Sequence, residues 1–157
     1  MLNAMLNRET VMKVQSLGHV VLKVTDLQRS ENFYNGLLGL PVCARFDENG
    51  MKMTFFTLGN HHDLAIMEVS GEDAAGGDGA TGLHHVAFCI GTDIKQLVAA
   101  RDQLQAAGFE PDPIDHEVTK SLYLDDPDGN NIELYVDVSD VWRAEPQRIA
   151  QIAPLAL

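Results

Sequence analysis

Leu17-Gly-His-Val20 recurs as Leu83-His-His-Val86, an offset of 66 (83 minus 17). No other feature restricts the fold as much, because self-similarity at a fixed offset marks one supersecondary unit built twice. In the first copy Val20, Leu22 and Val24 alternate with His19 and Val21, which is the period of a strand. Asp26 follows as a helix cap, and Phe33, Leu37 and Leu38 fall at helical spacing before Gly39 ends the helix. Three strands are expected next, at 41–46, 51–58 and 63–69, with Asn49-Gly50 as a hairpin turn between the first two. The second copy repeats the order. Val86, Phe88 and Ile90 oppose His85, Ala87 and Cys89, and Asp93 caps a helix whose buried stripe is Leu97, Ala100, Leu104 and Ala107. Gly108 ends that helix, and strands follow near 110–115, 118–124 and 131–138.

The sequence therefore predicts an α+β fold of two βαβββ modules, 17–69 and 83–138, forming a curved mixed sheet that encloses a metal site. Residues 70–82, rich in Gly and acid, read as a flexible linker. Residues 139–157 read as a short C-terminal helix and tail, and 1–16 as a flexible leader with Met12 as an alternative start. Met1–Thr10 lacks the uninterrupted apolar core of a signal peptide.

Composition narrows the partners. A formal net charge of −12 repels a phosphate backbone, which argues against nucleic acid. No apolar run reaches the roughly 18 residues of a membrane span. Two cysteines, Cys43 and Cys89, make no disulfide framework and suit a reducing compartment, so a cytoplasmic location is expected. A core is affordable, since 45% of the 157 residues are hydrophobic.

The chemistry gathers around Ser121-Leu-Tyr-Leu-Asp-Asp-Pro-Asp-Gly-Asn-Asn-Ile-Glu-Leu-Tyr135. It reads as strand, tight turn and returning strand, with Ile132, Leu134 and Val136 on one face and Glu133 and Tyr135 on the other. Laying the repeat over itself sets Phe55–Leu58 on Ser121–Leu124. Two extra residues in the Asp126-Pro-Asp-Gly129 turn then set Ala65 opposite Glu133. By strand parity His19, His85, Glu133 and Ala65 all face away from the helices. Glu133 alone is a solvated strand residue. With two histidines at equivalent places it becomes the acid of a two-His-one-carboxylate set, a donor combination that suits Fe(II) and leaves three positions open. The two cysteines lack the spacing of a closed zinc site.

These elements resemble the vicinal oxygen chelate superfamily, which includes glyoxalases, extradiol ring-cleaving dioxygenases, thiol transferases and bleomycin-resistance proteins. The resemblance rests on the βαβββ repeat, Leu17-x-His-Val, Leu83-His-His-Val-Ala-Phe and Asp126-Pro-Asp-Gly-Asn-x-Ile-Glu133, and it covers 17–138. It implies a metal held by His19, His85 and Glu133, with Ala65 at a fourth place that isomerases fill with a ligand. It is nearest to single-domain extradiol dioxygenases, through His62-Asp-Leu-Ala-Ile66, His116, and Tyr123 ten residues before Glu133. The resemblance assigns His62 as acid/base, and His116 and Tyr123 as hydrogen-bonding partners of the substrate. The reaction implied is ring opening of a small catechol by O2 on Fe(II), with Mn(II) or another divalent ion as alternatives. It would belong to aromatic catabolism in a homodimeric protein.

Competing readings stay open. A fosfomycin-resistance-like thiol transferase uses two His and one Glu with Mn(II), an isomerase or epimerase fits the same scaffold, and a metal-free binding protein needs only the fold. His62 also reads as a turn residue, Tyr123 as a core tyrosine, and His61 and His84 as surface or packing residues. Phe46, Met51, Met53, Phe55 and Met67 read as core or as an adaptable pocket wall.

Overall fold

The computed structural model describes residues 15–70 and 83–157; nearly all of the predicted linker and of the predicted leader lies outside the described residues. The first module runs β1 (Val20–Val24), α1 (Leu27–Glu31), a π-helical continuation (Asn32–Leu37), β2 (Val42–Glu48), β3 (Met51–Phe56) and β4 (Leu64–Glu68). The second runs β5 (Val86–Gly91), α2 (Ile94–Ala106), β6 (Asp112–Asp115), β7 (Thr119–Asp125) and β8 (Asn131–Asp137). Each helix carries the chain across its sheet, from β1 to β2 and from β5 to β6, and the module's last strand then returns to pair in parallel with its first: β1 with β4 (Val20↔Leu64), and β5 with β8 (Val86↔Ile132). The α+β class and the doubled βαβββ unit are what the repeat predicts.

The single curved sheet is a different matter. The strands make two sheets, ordered β1-β4-β3-β2 and β5-β8-β7-β6 with a short β9 (Ala153–Pro154) added to β6. No described strand of one sheet pairs with a strand of the other. The reason lies in where the apolar faces go. Leu22, Val24, Phe56, Leu64 and Ile66 of the first sheet share one buried cluster with Leu122, Leu124, Ile132, Leu134 and Val136 of the second. Phe33, Tyr34, Leu97 and Leu104 of the helices complete it. Phe33 meets Phe109 at 5.1 Å between ring centroids. The helix-covered faces thus serve one core, and both other faces turn away from it.

Local signals account for the element ends. The Asp26 side chain accepts from Arg29 N at 2.9 Å, and Asp93 forms a full capping box with Gln96. Asn49 and Gly50 take φ of 54° and 78°, the mirror-image turn that a tight hairpin requires. The first helix departs from simple spacing. Its wider π turn buries Tyr34, whose hydroxyl donates to Asp126 Oδ2 at 2.7 Å. Asp126 also accepts from the backbone N–H of Asp128 and of Asn130, which fixes the β7–β8 turn. Ala107 is the exposed cap of α2 rather than part of its buried stripe. The expected C-terminal helix is instead two 3-10 turns, Val141–Arg143 and Pro146–Ala150, followed by β9.

Asp128 clamps the modules together. Its side chain, 7% exposed, accepts from Thr25 N at 2.9 Å, Arg29 Nη2 at 2.8 Å and Ser30 Oγ at 3.0 Å, and from the Thr25 hydroxyl. Burial pushes this carboxyl up, but the bonds from Thr25, Arg29 and Ser30 outweigh it and hold it below the ordinary carboxylate range. A depressed folded-state pKa gives stability that is present above about pH 4 and lost as pH falls through the lower folded value. Asp128→Asn is expected to destabilise the protein by about 1–3 kcal/mol at pH 7, with the deficit shrinking towards about pH 2. Urea melts at the two pH values check this, and a deficit equal at both would show that the charge is not what clamps the modules.

Candidate metal centre

Register decides which side chains reach the outward faces. In the second sheet Ala87, Glu133 and Tyr123 stand side by side across β5, β8 and β7. In the first, Val21, Ala65 and Phe55 hold the matching places across β1, β4 and β3. Ala65 therefore does occupy the place of Glu133. Phe55 corresponds to Tyr123 rather than to Ser121, so the two extra residues of the second copy enter before β7 and not in the Asp126–Gly129 turn.

His85 sits just before β5, and its Nε2 lies 3.1 Å from Glu133 Oε2. The other carboxylate oxygen accepts from Ser121 Oγ at 2.6 Å, a diagonal contact on the same sheet face. Glu133 is 8% exposed and Ser121 fully buried. Donors at right angles and about 2.1 Å from one octahedral ion stand about 3 Å apart. The His85–Glu133 separation thus fits two neighbouring ligands of a divalent ion, and an imidazole with a carboxylate suits the Mn-to-Zn range. His84, read from sequence as a surface residue, places Nδ1 2.7 Å from His85 Nδ1. A His85 that ligates through Nε2 carries its proton on Nδ1 and donates it to His84, which fixes the ring.

Tyr123 and His116 join this group. The rings of His85 and Tyr123 meet edge to face at 5.4 Å. His116 Nδ1 is 2.9 Å from the Gln151 carbonyl, which only accepts, so Nδ1 carries the proton and Nε2 accepts from the Tyr123 hydroxyl at 3.0 Å. Burial, then the charge and hydrogen bonding of Glu133, push the Tyr123 phenol up to about 12. It remains a protonated donor at neutral pH. A cleft of about 310 Å³ opens here, walled by Tyr123, Glu133, Tyr135, Trp142 and Ile149.

His19 and His62 are elsewhere. His19, just before β1, belongs to a group with His61 and His62 whose ligand atoms all lie within 4.8 Å of one another. The structure brings His85, Glu133, Tyr123 and His116 together and places His19 and His62 together, each set on its own module. His62 is not on the simple alternation of β4 but in the turn before it, stacked 4.1 Å from His19 and 5.2 Å from Phe55 between ring centroids. Burial first, then the neighbouring His19 and His61, hold its imidazole below the ordinary value. Sequence reading missed Ser121, His84, Trp142 and Gln151. Ser121 was legible, since it shares the parity of Tyr123; the others depend on tail placement or on ring orientation.

Paired βαβββ modules with imidazole and carboxylate donors on the faces turned from a common core define the class of protein. The chain belongs to the Glyoxalase/Bleomycin resistance protein/Dioxygenase superfamily, whose model matches residues 16–134. It is 34% identical over 121 residues to biphenyl-2,3-diol 1,2-dioxygenase 2 of Rhodococcus globerulus, covering 76% of this chain and 61% of that protein. The chain thus spans less than two thirds of that relative. It is 30% identical over 128 residues to the glutathione transferase FosA of Serratia marcescens, covering 78% of this chain and 82% of that one. A mutant of the fosfomycin resistance protein FosX from Listeria monocytogenes, solved with Mn(II) and 1S,2S-dihydroxypropylphosphonic acid, shares the fold. Its TM-score is 0.65 at 22% identity, covering 84% of this chain and 99% of that one. Among the described residues no helix is long and apolar enough to cross a membrane.

Ser121→Ala removes the bond that aims Glu133 and leaves a buried carboxylate oxygen unpartnered. Mn(II) affinity is expected to fall about 10–100-fold, as read by calorimetry on the metal-free protein. Unchanged affinity would mean that Glu133 does not ligate.

Proposed function

We propose that the protein is a divalent-metal-dependent enzyme that opens the ring of a small catechol with O2, extradiol fashion, using Fe(II). The observation that carries this reading is the His85–Glu133 pair backed by the Tyr123–His116–Gln151 chain at an open cleft. The ion, when bound, supplies Lewis acidity towards two vicinal oxygens and a path for electrons to O2. The chain's own residues do the rest. Ser121 holds the Glu133 carboxylate in one orientation. The Tyr123 hydroxyl, kept protonated, donates its one proton to His116 Nε2 and accepts from a hydroxyl of the substrate, so a proton has a defined path from substrate along the pair. Trp142 and Ile149 form an apolar wall against which an aromatic ring fits.

The third ligand comes from a second copy. Among the described residues β1 and β5 are edge strands of their sheets, and each is preceded by its histidine. A homodimer that sets β1 of one copy along β5 of the other brings His19 to the partner's imidazole–carboxylate pair, with His62 beside it as the acid/base. His62 holds below the ordinary histidine range and so enters as the free base at neutral pH. A transferase reading is favoured by one observation, that the chain spans 82% of the length of FosA. Conjugation of glutathione to a fosfomycin epoxide by the Mn(II) protein, without ring cleavage, would select it.

Two measurements test the reading. Protein loaded anaerobically with Fe(II) is expected to turn a catechol yellow on admission of O2; no product across a catechol panel at full iron occupancy would remove it. A His19→Ala chain and a Glu133→Gln chain should each be inactive alone. After unfolding and refolding together they should regain about a quarter of wild-type activity, because half the dimers are mixed and each mixed dimer holds one intact site. A mixture as inactive as its components would place all three ligands within one chain.

A further inference from the structure

His61 has no part in the chemistry above, yet it completes a second metal-ligating group. We propose that His19, His61 and His62 form a three-imidazole site for a borderline divalent ion, Co(II), Ni(II) or Zn(II), on the first module. Their ligand atoms lie within 4.8 Å of one another. Ring centroids are 4.1 Å apart for His19 and His62, 4.5 Å for His61 and His62, and 6.0 Å for His19 and His61. Three faces of one small coordination sphere are thereby supplied by two chain segments.

Those segments are tied together by bonds that do not use the rings. In the turn between β3 and β4, Asp63 Oδ2 accepts from Leu58 N at 2.6 Å and Asn60 N at 3.4 Å, and Thr57 Oγ1 donates to Asn60 O at 2.6 Å. Asn60 Nδ2 then donates to Gly18 O at 3.4 Å, and Val20 N to Asp63 O at 3.1 Å. These bonds bracket His19 on one side and His61–His62 on the other. Asp63 is engaged with the backbone, so no carboxylate enters the set. The Cys43 thiol donates to the His61 carbonyl at 3.6 Å and is likewise outside it. An all-imidazole set selects Zn, Ni, Cu or Co over Mg, Ca or Mn. One lone pair is in use, since His61 Nδ1 accepts from His62 N at 3.0 Å. An ion at that nitrogen displaces one local bond, and the ring is exposed and free to turn.

His19 is common to this set and to the catalytic set proposed above, and it serves one ion at a time. The three-imidazole site therefore holds its ion in a chain whose His19 is not engaged by a partner, and releases it as His19 is taken up. The site does not depend on the proposed activity, and its test is independent of turnover.

The test is Co(II) titration under nitrogen, followed by visible d–d absorption and calorimetry. Its variants are His85→Ala/Glu133→Gln, which removes the other pair, and the same chain carrying His61→Ala. The double variant is expected to bind Co(II) at one ion per chain, and His61→Ala to raise the Kd about tenfold or more. Circular dichroism confirms that each variant is folded, and His61→Gln, which keeps bulk and polarity, must lose binding as His61→Ala does. No binding by the double variant, or binding indifferent to His61, overturns the site. Cobalt bound by wild type and lost in the double variant would leave the His85–Glu133 centre standing while the three-imidazole site falls. Cobalt bound equally by both, and lost only with His61, would do the reverse.

Discussion

A strand has two faces, and in this protein the core takes one of each sheet completely. The two sheets and both helices spend their apolar faces on a single cluster, so neither module has a core of its own to retreat into. What remains for chemistry is the opposite parity: Ala87, Glu133 and Tyr123 on one sheet, Val21, Ala65 and Phe55 on the other. The donors His19, His62, His85, His116, Tyr123 and Glu133 lie on one of those faces or in the turn and strand-entry residues beside them. The common core fixes them by fixing the sheets. A one-residue slip of β8 would carry Glu133 inward and bring Leu134 out, exchanging both core and centre at once.

The centre also shows how a buried acid is tolerated. A carboxylate as buried as Glu133 is costly without partners. Here one oxygen accepts from Ser121 and the other faces His85, with the Tyr123 hydroxyl close enough for the carboxylate to push its phenol up. Tyr123 in turn has His116, and His116 has the Gln151 carbonyl. The C-terminal segment is thus joined to the site through one imidazole whose tautomer that carbonyl dictates. Trp142 and Ile149 of the same segment form the wall of the cleft. The tail places a hydrogen-bond acceptor and an apolar wall in a single act of packing, and neither is readable from its letters.

The fold was largely legible because its signals are local and repeated. Period-two alternation, the Asp26 and Asp93 caps and the Asn49-Gly50 turn each act within a few residues, and the repeat supplied a second witness for the element order. Parity likewise predicted which face His85 and Glu133 occupy. Three things were not legible. The π turn that buries Tyr34 widens a helix by packing against Asp126, 92 residues away. Whether the modules join edge to edge or through their helices depends on which apolar surface is larger, and alternation is the same in both cases. His62 read either as an acid/base or as a turn residue, and only the Asp63-centred turn carries it to His19. Residue types told which donors existed. Tertiary packing decided which of them meet.

The separation of the donors has a thermodynamic consequence. His85 and Glu133 alone offer two ligands to an ion, and His19 sits with a different pair of imidazoles on the other module. Under the two-copy arrangement proposed above, a third donor reaches the ion only when chains associate. An ion that binds the associated form more tightly must then stabilise association by the same factor, because the coupling is reciprocal. Association in turn commits the His19 nitrogen to the partner's ion and so withdraws it from the set it shares with His61 and His62. Metal occupancy and assembly are therefore one equilibrium read at two places, with the single imidazole of His19 as the shared variable. A protein organised in this way keeps its open coordination positions from forming until the cleft that shields them has formed as well.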